Sequence, residues 1–191
     1  MSEREVETQT DNTLMKQVQA GDTGQLAHLF ERYHVPLFGY LFHFSRNRPA
    51  SEDLVQEVFF RVLKYADSYD PSFPFSVWLY RMARNAYFDS LHKKRTDGVS
   101  SELDNLPSDE PLPEEVVVRR QDTKFLEEAL QQLPDEKREI LVLSRFHNLR
   151  HADIAQILKC ETGTVKVRVY RALKELRERF CELRGETLYD V

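Results

Sequence analysis

The chain has 191 residues, 41% of them hydrophobic, and a formal net charge of −5. That length suits one large or two small domains, each with its own core. The two cysteines, Cys160 and Cys181, argue against a disulfide framework, and no apolar run reaches membrane-spanning length or forms an apolar N-terminal signal region. We therefore expect a protein of the reducing cytoplasm that does not insert into a membrane.

The N-terminal half predicts helices separated by short breaks. Residues 1–12 are polar and are expected to be loose. Three helical stretches follow, over about residues 14–20, 25–44 and 51–66. Gly21-Asp22 separates the first two, and Asn47-Arg48-Pro49 separates the second from the third. Ser51 is the candidate N-cap of the third stretch.

The third stretch carries the sequence DLVQEVFFRVLK, which has two different faces. One face is an apolar stripe for its own domain, made of Leu54, Val55, Val58 and Val62. The other face carries Asp53, Gln56, Glu57, Arg61 and Lys64, with at least one of Phe59 and Phe60. A charged face with one exposed phenylalanine is common in proteins, so the pattern alone favours a partner surface and a solvated face equally.

The segment 69–95 combines aromatic and basic residues. Two prolines in 70–74 predict a loop, and Ser76 is the candidate N-cap of a helix over 77–95. The aromatic residues are Tyr69, Phe73, Phe75, Trp78, Tyr80, Tyr87 and Phe88, and the basic ones are Arg81, Arg84, Lys93, Lys94 and Arg95. Stacking on an exposed base contributes roughly 1–3 kcal/mol, cations hold the backbone, and Asn85 can read the edge of an unstacked base. A residue such as Trp78 is more often plain core, and we assign it to the core or to the wall of the pocket.

Residues 96–121 predict an acidic, flexible linker between a domain over 1–95 and a domain over 122–191. The segment contains four Gly or Pro, many Ser, Asp and Glu, and no Lys or Arg before Arg119. Helices are expected again over about 122–132 and from 135 to near His147. No segment of the chain shows strand alternation, so we expect an all-α protein of two small helical domains.

The segment 151–179 predicts a helix-turn-helix of winged-helix-like type. A short helix carries Ile154, Ala155 and Leu158 at helical spacing, and residues 160–163 interrupt it. Thr162 is the candidate cap of the second helix, and Gly163 would relax the backbone there.

The second helix of this pair has a face to bury and a face that can reach DNA. The apolar stripe consists of Val165, Val169, Ala172, Leu173, Leu176 and Phe180. The opposite side consists of Thr164, Val167, Tyr170, Arg171 and Lys174, flanked by Lys166 and Arg168. An ordinary amphipathic helix with a solvated basic face is the simpler alternative. The short first helix, tight turn and basic second helix together favour DNA binding.

The net negative charge is unevenly distributed along the chain. Residues 159–179 contain seven Lys or Arg against three acids, and residues 78–95 contain five against one. The acids collect in the N-terminal tail and between the two halves. Because local charge decides contact with nucleic acid, both segments remain compatible with DNA binding.

Catalytic interpretations find little support. The chain has no Gly-rich phosphate loop, no GxSxG and no CxxC pair. His147, His151 and Cys160 match no zinc spacing; the histidines are better explained as helix-end residues and Cys160 as a small buried residue. We expect neither a catalytic site nor a metal or other cofactor.

Two separate motifs resemble bacterial RNA polymerase sigma factors of the extracytoplasmic-function (ECF) subfamily of the sigma-70 family. DIAQIL, GTVK and RVYRALKELR resemble the family's C-terminal signature, with Val167 where the family often has Ser. DLVQEVF resembles its D-L-x-Q-E-x-F helix, and WLYRMARN, followed by Asp89 and the cluster 92–95, resembles its W-L-x-x-I-A-x-N segment. The motifs stand in the family's order and together cover most of the chain.

The resemblance implies a transcription initiation factor that binds core RNA polymerase and promoter DNA and is controlled by an anti-sigma factor. It implies polymerase contacts at Asp53, Gln56, Glu57 and Phe60. It implies contacts to the single-stranded minus-ten element at Tyr69, Phe73, Phe75, Arg81, Arg84, Asn85, Lys93, Lys94 and Arg95. It implies contacts to the double-stranded minus-thirty-five element at Thr164, Lys166, Val167, Arg168, Tyr170, Arg171 and Lys174.

Two alternatives remain open at this stage. The family's linkers lie in a basic channel of the polymerase as nucleic-acid mimics, whereas residues 96–121 could equally be a solvated tether. The chain as a whole could be a stand-alone helix-turn-helix regulator that acts without core polymerase. The DLVQEVF helix separates these two functions, because a repressor has no use for it.

Overall fold

Helices account for every regular element in the described part of the chain, which confirms the predicted all-α class. The computed structural model describes the backbone of residues 9–96 and 114–185 and the side chains of residues 9–93 and 122–185. The chain divides into two compact units, one built on the helices before residue 97 and the other on most of the chain after residue 113. Most of the predicted acidic linker lies outside the described residues.

Within residues 9–96, the N-terminal unit contains four α-helices joined by short turns. They are α1 (Asp11–Gln19), a 3-10 turn (Thr23–Gln25), α2 (Leu26–Ser45), α3 (Arg48–Lys64), a 3-10 turn (Ala66–Ser68) and α4 (Phe75–Thr96). All four helices contribute to one core, which includes Leu14, Met15, Val18, Leu29, Leu37, Tyr40, Leu41, Val58, Val62, Leu79 and Ala83. Burial of each large apolar side chain contributes roughly 1.5–3 kcal/mol, so this core accounts for the amphipathic patterns of the sequence.

Helix α1 begins earlier than expected. The hydroxyl oxygen of Thr10 accepts a hydrogen bond from the backbone N–H of Thr13 at 3.2 Å, which makes Thr10 the N-cap. The prediction that residues up to 12 are loose is therefore wrong for residues 11 and 12.

Helix α3 is capped by Asn47 rather than by Ser51. The side-chain oxygen of Asn47 accepts from the N–H of Ala50 at 2.8 Å, and Pro49 lies in the first turn, where its missing N–H costs nothing. Ser51 is fully buried, and its hydroxyl lies 2.6 Å from that of Ser45. Ser76 is likewise no cap, because α4 already begins at Phe75.

Every regular element in the described residues of the C-terminal unit is also a helix. Within these residues the helix-turn-helix is therefore not accompanied by the β-strands of a winged-helix wing. The elements of this unit are α5 (Glu114–Gln132), α6 (Asp135–Leu141), a π-helical turn (Val142–Phe146), α7 (His151–Leu158) and α8 (Thr162–Arg184). Helix α5 begins eight residues before the predicted start at residue 122. The run 114–120 contains neither Gly nor Pro, and its two Glu are balanced by two Arg, so its composition is not that of an acidic linker.

Helix α8 is fixed to the other helices of this unit by apolar and ionic contacts. Val165, Val169 and Ala172 are buried together with Leu130, Ile140 and Ile154. Lys137 on α6 forms an ion pair with Glu175, and Arg184 lies 3.5 Å from Asp122 on α5. Because these contacts cover one side of α8, the opposite side of the helix remains exposed to solvent.

The turn between α7 and α8 differs in detail from the expectation. Lys159 adopts the left-handed conformation with φ 53°, and Glu161 occupies the N-cap without a side-chain hydrogen bond. Thr162 is therefore the first helical residue and not the cap. Gly163 lies inside the first turn of α8, so the residue that relaxes the backbone is Lys159. A left-handed residue other than glycine costs roughly 1–2 kcal/mol, which the packing of the two helices must offset.

Candidate nucleic-acid and partner interfaces

The outer face of α3 is exposed in the pattern that the sequence predicts. Asp53, Gln56 and Glu57 are exposed, and Phe60 is 60% exposed. The inward stripe is buried and consists of Leu54, Val55, Val58 and Val62. Phe59 joins that stripe, so Phe60 is the phenylalanine of the pair that faces solvent. The face thus combines two carboxylates, an amide and one exposed ring.

An open cavity of about 560 Å³ adjoins this face. Its lining includes the acidic Asp53 and Glu57, the basic Arg46 and the apolar groups of Leu54 and Leu91, so acids outnumber bases there. A partner segment that carries both basic and apolar side chains matches this lining by charge and by polarity.

Arg61 connects α3 to α4 instead of extending from the outer face. Its Nε donates to Oε1 of Glu57 at 2.7 Å, and its Nη1 donates to Oδ2 of Asp89 at 2.8 Å. The arginine side chain is only 24% exposed. Pairs that remain partly exposed contribute at most about 1 kcal/mol, so the main consequence is that Glu57 has a defined orientation.

The aromatic residues of segment 69–95 separate into core and surface. Phe75 is 1% exposed and Tyr80 is 3% exposed, and their rings make edge contacts with Tyr33 and Tyr40 at 5.4 and 5.2 Å. The Phe75 ring therefore presents no face to solvent in this conformation, which disfavours the predicted stacking on a base. Tyr80 was assigned to the same aromatic set and is likewise core.

Tyr69 and Trp78 form the wall behind the loop. Tyr69 is 3% exposed, and its ring centroid lies 5.2 Å from that of the half-buried Trp78. Burial raises the pKa of the Tyr69 hydroxyl to about 12, with smaller contributions from Asp11 and Asp70. The hydroxyl is therefore a neutral hydrogen-bond donor at ordinary pH.

The loop itself presents Phe73 to solvent. Asp70 accepts from the N–H of Ser72 through Oδ1 at 2.9 Å and from the N–H of Phe73 through its carbonyl at 3.2 Å, which closes a tight turn around Pro71. The bonds from Ser72 hold the pKa of the Asp70 carboxyl below its usual value. Phe73 is 44% exposed at the end of this turn. Among residues 70–74, Phe73 therefore supplies the aromatic ring that solvent can reach.

The exposed surface of α4 carries the polar residues expected to contact DNA. Arg81, Asn85 and Lys93 are exposed, and the Arg84 guanidinium lies 4.8 Å from the centroid of the Phe88 ring. Arg81 and Asn85 are one turn apart on the same face. The side chains of Lys94 and Arg95 lie outside the described residues.

The exposed side of α8 matches the predicted reading face. Val167 is 49% and Tyr170 is 70% exposed, and Arg171 is exposed beside them. The other members are the exposed Lys166, Arg168 and Lys174 and the half-buried Thr164. Lys174 also lies 4.0 Å from Glu178, so its charge is partly neutralised. The apolar stripe loosens toward the C-terminus of α8, where Leu173, Leu176 and Phe180 are half-buried.

Two side chains that the sequence analysis overlooked lie against the loop. Asn12 donates to the carbonyl of Pro71, and Gln19 donates to the carbonyls of Ala66 and Tyr69. Both belong to α1. The only sequence signal for this helix start was the Thr10-Asp11 pair, a common N-terminal pattern.

A metal site finds no candidate among the described side chains. These residues contain no group of three or more His, Cys, Asp or Glu that could hold a metal ion. Burial lowers the pKa of His147 to about 4, and Cys160 is half-buried rather than buried as expected. None of the described helices is both long and apolar enough to cross a membrane.

Comparison with known families assigns both halves of the chain. Residues 29–96 match the family described as Sigma-70 region 2, and residues 126–176 match Sigma-70, region 4. The chain is 31% identical over 180 residues to the ECF RNA polymerase sigma factor SigW of Bacillus subtilis strain 168, covering 88% of this chain and 96% of SigW. It is 30% identical over 175 residues to the RNA polymerase sigma factor CarQ of Myxococcus xanthus, covering 90% of this chain and 98% of CarQ.

Solved structures show the same fold. CnrH in complex with the cytosolic domain of CnrY matches with a TM-score of 0.68 at 22% identity, over 93% of this chain and 99% of CnrH. The sigma factor RpoE in complex with the anti-sigma factor NepR, from Bartonella quintana, matches with a TM-score of 0.64 at 24% identity, over 80% of this chain and 94% of RpoE.

Proposed function

This chain belongs to the ECF sigma factors of the sigma-70 family, and we propose how its surfaces divide the work of transcription initiation. It acts with core RNA polymerase and directs promoter recognition. The proposal assigns one step to each of three exposed surfaces: polymerase binding, reading of the upstream duplex, and capture of the melted strand.

The outer face of α3 binds core polymerase in this proposal. Asp53, Gln56, Glu57 and Phe60 are exposed, whereas the inward stripe of the helix is buried. A cavity lined by two acids, one arginine and apolar groups adjoins them. The complementary partner is a protein segment with basic and apolar side chains. The charges give orientation and association rate, and the exposed Phe60 ring supplies apolar area.

The exposed side of α8 reads the minus-thirty-five element as duplex. Arg171 lies centrally between the exposed Val167 and Lys174, so it is the residue best placed for a base edge in the major groove. Lys166 and Arg168 lie at the sides, where phosphates are nearer.

The loop 70–74 and the exposed surface of α4 receive the melted minus-ten strand. Phe73 offers a ring for stacking, Arg81 and Lys93 supply positive charge, and Asn85 supplies an amide for the edge of an extruded base. Tyr69 and Trp78 support this surface from behind and do not stack on bases themselves.

We infer further that the protein has no catalytic step of its own, works in the cytoplasm where core polymerase is found, and is held inactive by an anti-sigma factor. RpoE and NepR illustrate such a pair on this fold. The same α3 face is the natural target, because a protein bound there excludes polymerase.

The observation that carries the proposal is the combination in one chain of an exposed acidic helix face with a basic helix-turn-helix. The experiment is run-off transcription on a promoter library with purified chain and core polymerase, each alone and together. We expect specific transcripts only from the mixture. Sequence-specific regulation of a polymerase that already carries another sigma factor would instead support the stand-alone regulator.

A further inference from the structure

We propose that Asn12 and Gln19 on α1 are positioning residues that set the geometry of residues 66–74, which lead into and form the loop 70–74, for the melted strand. The inference rests on the proposed function of that loop. The two side chains lie outside residues 29–96, the segment that matches the Sigma-70 region 2 family.

The contacts join α1 to the loop at several points. Nδ2 of Asn12 donates to the carbonyl of Pro71 at 2.9 Å, and the Tyr69 hydroxyl donates to Oδ1 of the same amide at 2.6 Å. Nε2 of Gln19 donates to the carbonyls of Ala66 and Tyr69, each at 3.0 Å. Gln19 lies seven positions after Asn12, about two helical turns, so the two amides lie on one face of α1.

The chemistry of these positions explains why both side chains are amides. The loop carbonyls can only accept hydrogen bonds, and each accepts one from an amide of α1; the Ala66 carbonyl also accepts from the backbone N–H of Tyr69. At residue 12 the same group must donate to Pro71 and accept from the neutral hydroxyl of Tyr69. An amide meets both requirements, whereas a carboxylate would face the Pro71 carbonyl with like partial charge.

Helix α1 is itself fixed, so it can serve as a reference for the loop. Asp11 accepts from Nη1 of Arg32 at 2.7 Å and from the Tyr33 hydroxyl at 2.5 Å, both on α2. Burial and Asp11 raise the pKa of Tyr33, which keeps its hydroxyl protonated as a donor. The inward side of α1 is buried through Leu14, Met15 and Val18.

The contacts of Asn12 and Gln19 also affect Phe73, which is exposed at the end of the turn over residues 70–73. The Tyr69 hydroxyl also lies 3.0 Å from the Phe73 carbonyl, so the Asn12–Tyr69 pair adjoins the backbone of the stacking residue. A loop held in the binding geometry before the strand arrives loses less conformational entropy on binding. Loss of one amide should therefore weaken strand capture while leaving the upstream duplex contact unchanged.

The test measures binding of the full chain, assembled with core polymerase, to a single-stranded oligonucleotide that carries a library-selected minus-ten sequence. We expect Asn12→Ala and Gln19→Ala each to weaken binding about three- to tenfold, the range for one or two lost hydrogen bonds. Binding to a minus-thirty-five duplex should not change. Thr13→Ala is the matched control, since Thr13 is an exposed polar residue of α1 whose side chain contacts Thr10 instead of the loop.

A double-mutant cycle separates positioning from general destabilisation. Asn12→Ala and Tyr69→Phe remove the two ends of one hydrogen bond, so their effects on strand affinity should be clearly less than additive. Hydrogen exchange of the Tyr69 and Phe73 amides should accelerate in Asn12→Ala with little change in α2. Asn12→Asp, which keeps the side-chain shape and removes the donor to Pro71, repeats the test if the alanine variant folds poorly.

The outcomes distinguish this proposal from the proposed function. Folded Asn12→Ala and Gln19→Ala could show wild-type strand affinity and unchanged hydrogen exchange while Phe73→Ala binds the strand more weakly. That result would refute the positioning role of Asn12 and Gln19 and leave the proposed function of the loop intact. Unchanged strand affinity in Phe73→Ala and Asn85→Ala would refute the role of the loop surface, and the exchange rates would still decide whether α1 fixes the loop.

Discussion

Arg61 on α3 lies 2.8 Å from the carboxylate of Asp89 on α4. The same guanidinium holds Glu57, so one of the two acids on the proposed polymerase face is part of an interhelical network. Substituting Glu57 therefore also disturbs Arg61 and Asp89. Asp53 gives the cleaner test of that face.

Charge reversal at Asp53 should weaken the polymerase complex. We expect Asp53→Lys to lower the affinity for core polymerase at least about tenfold, because it places a cation opposite the basic groups that the face attracts. The helical content should be unchanged, since the side chain is exposed. Fluorescence titration of labelled chain with core polymerase measures the affinity. Glu31→Lys, an exposed acid on α2, is the matched control, and equal affinities for both variants would refute the assignment.

Removal of the Asn85 amide should impair promoter opening. Asn85→Ala is expected to reduce the extent of melting strongly and the upstream duplex contact little, because the amide meets a base only after the base has left the stack. Permanganate reactivity of thymines in the melted region measures the first quantity. Wild-type reactivity in the variant would remove Asn85 from the site.

The two arginines of α8 should behave differently. Arg171→Ala is expected to relax sequence preference at one or two upstream positions, since an arginine–guanine contact discriminates by roughly 1–3 kcal/mol. Arg168→Ala should lower affinity for all sequences alike, as expected for a phosphate contact. Binding-site selection with both holoenzymes compares them. A wild-type sequence profile for Arg171→Ala, with weaker binding only, would contradict the assignment.

Gly163 offers a test of whether the first turn of α8 requires a glycine. It lies in the first turn of the helix, and a Cβ added there would meet no atom within 4 Å. Gly163→Ala should therefore raise the free energy of unfolding of the C-terminal unit by about 0.4–1 kcal/mol. Differential scanning calorimetry measures this gain. A loss of stability would show that the glycine relieves strain that the helix geometry does not show.

His147 should titrate at low pH. Burial disfavours its charged form, so its pKa falls from an ordinary value of 6.5 to about 4. Between pH 6.5 and about 4 the unfolded chain binds a proton at His147 that the folded chain does not. The free energy of unfolding is therefore unaffected by His147 above pH 6.5 and falls by at most about 1.4 kcal/mol per pH unit as the pH drops toward 4. An NMR titration of the ring should give a midpoint near 4, and His147→Gln should remove this part of the pH dependence. A midpoint near 6.5 would contradict the burial argument.

The sequence predicted the helices and their buried faces because both depend on local periodicity. The inward stripe of α3 and the buried Val165, Val169 and Ala172 of α8 follow directly from a repeat of 3.6 residues. Cap positions were less predictable. Asn47 and Ser51 are both good cap residues, and only the folded structure decides between them, because Asn47 accepts from the Ala50 N–H whereas Ser51 contacts Ser45.

Two features could not be predicted from the sequence for a different reason: which aromatic residues of segment 69–95 are buried, and the hydrogen bonds from α1 to the loop. Phe73 and Phe75 are equivalent in the sequence, yet one is exposed and the other packs on Tyr33, because tertiary contacts with α2 decide burial. The bonds of Asn12 and Gln19 to the loop connect residues 47 to 59 positions apart. A local pattern contains no information on such pairs.

The most direct test of this division of work measures the permanganate reactivity of thymines in a library-selected promoter. Core polymerase is titrated into a fixed amount of wild type, Asp53→Lys or Asn85→Ala. We expect reactive thymines only when both chain and polymerase are present. Asp53→Lys should need at least about tenfold more polymerase to reach the wild-type plateau, whereas Asn85→Ala should keep the wild-type midpoint and reach a lower plateau. Reactivity without polymerase, or a lowered plateau for Asp53→Lys with a shifted midpoint for Asn85→Ala, would contradict the division of work between α3 and α4.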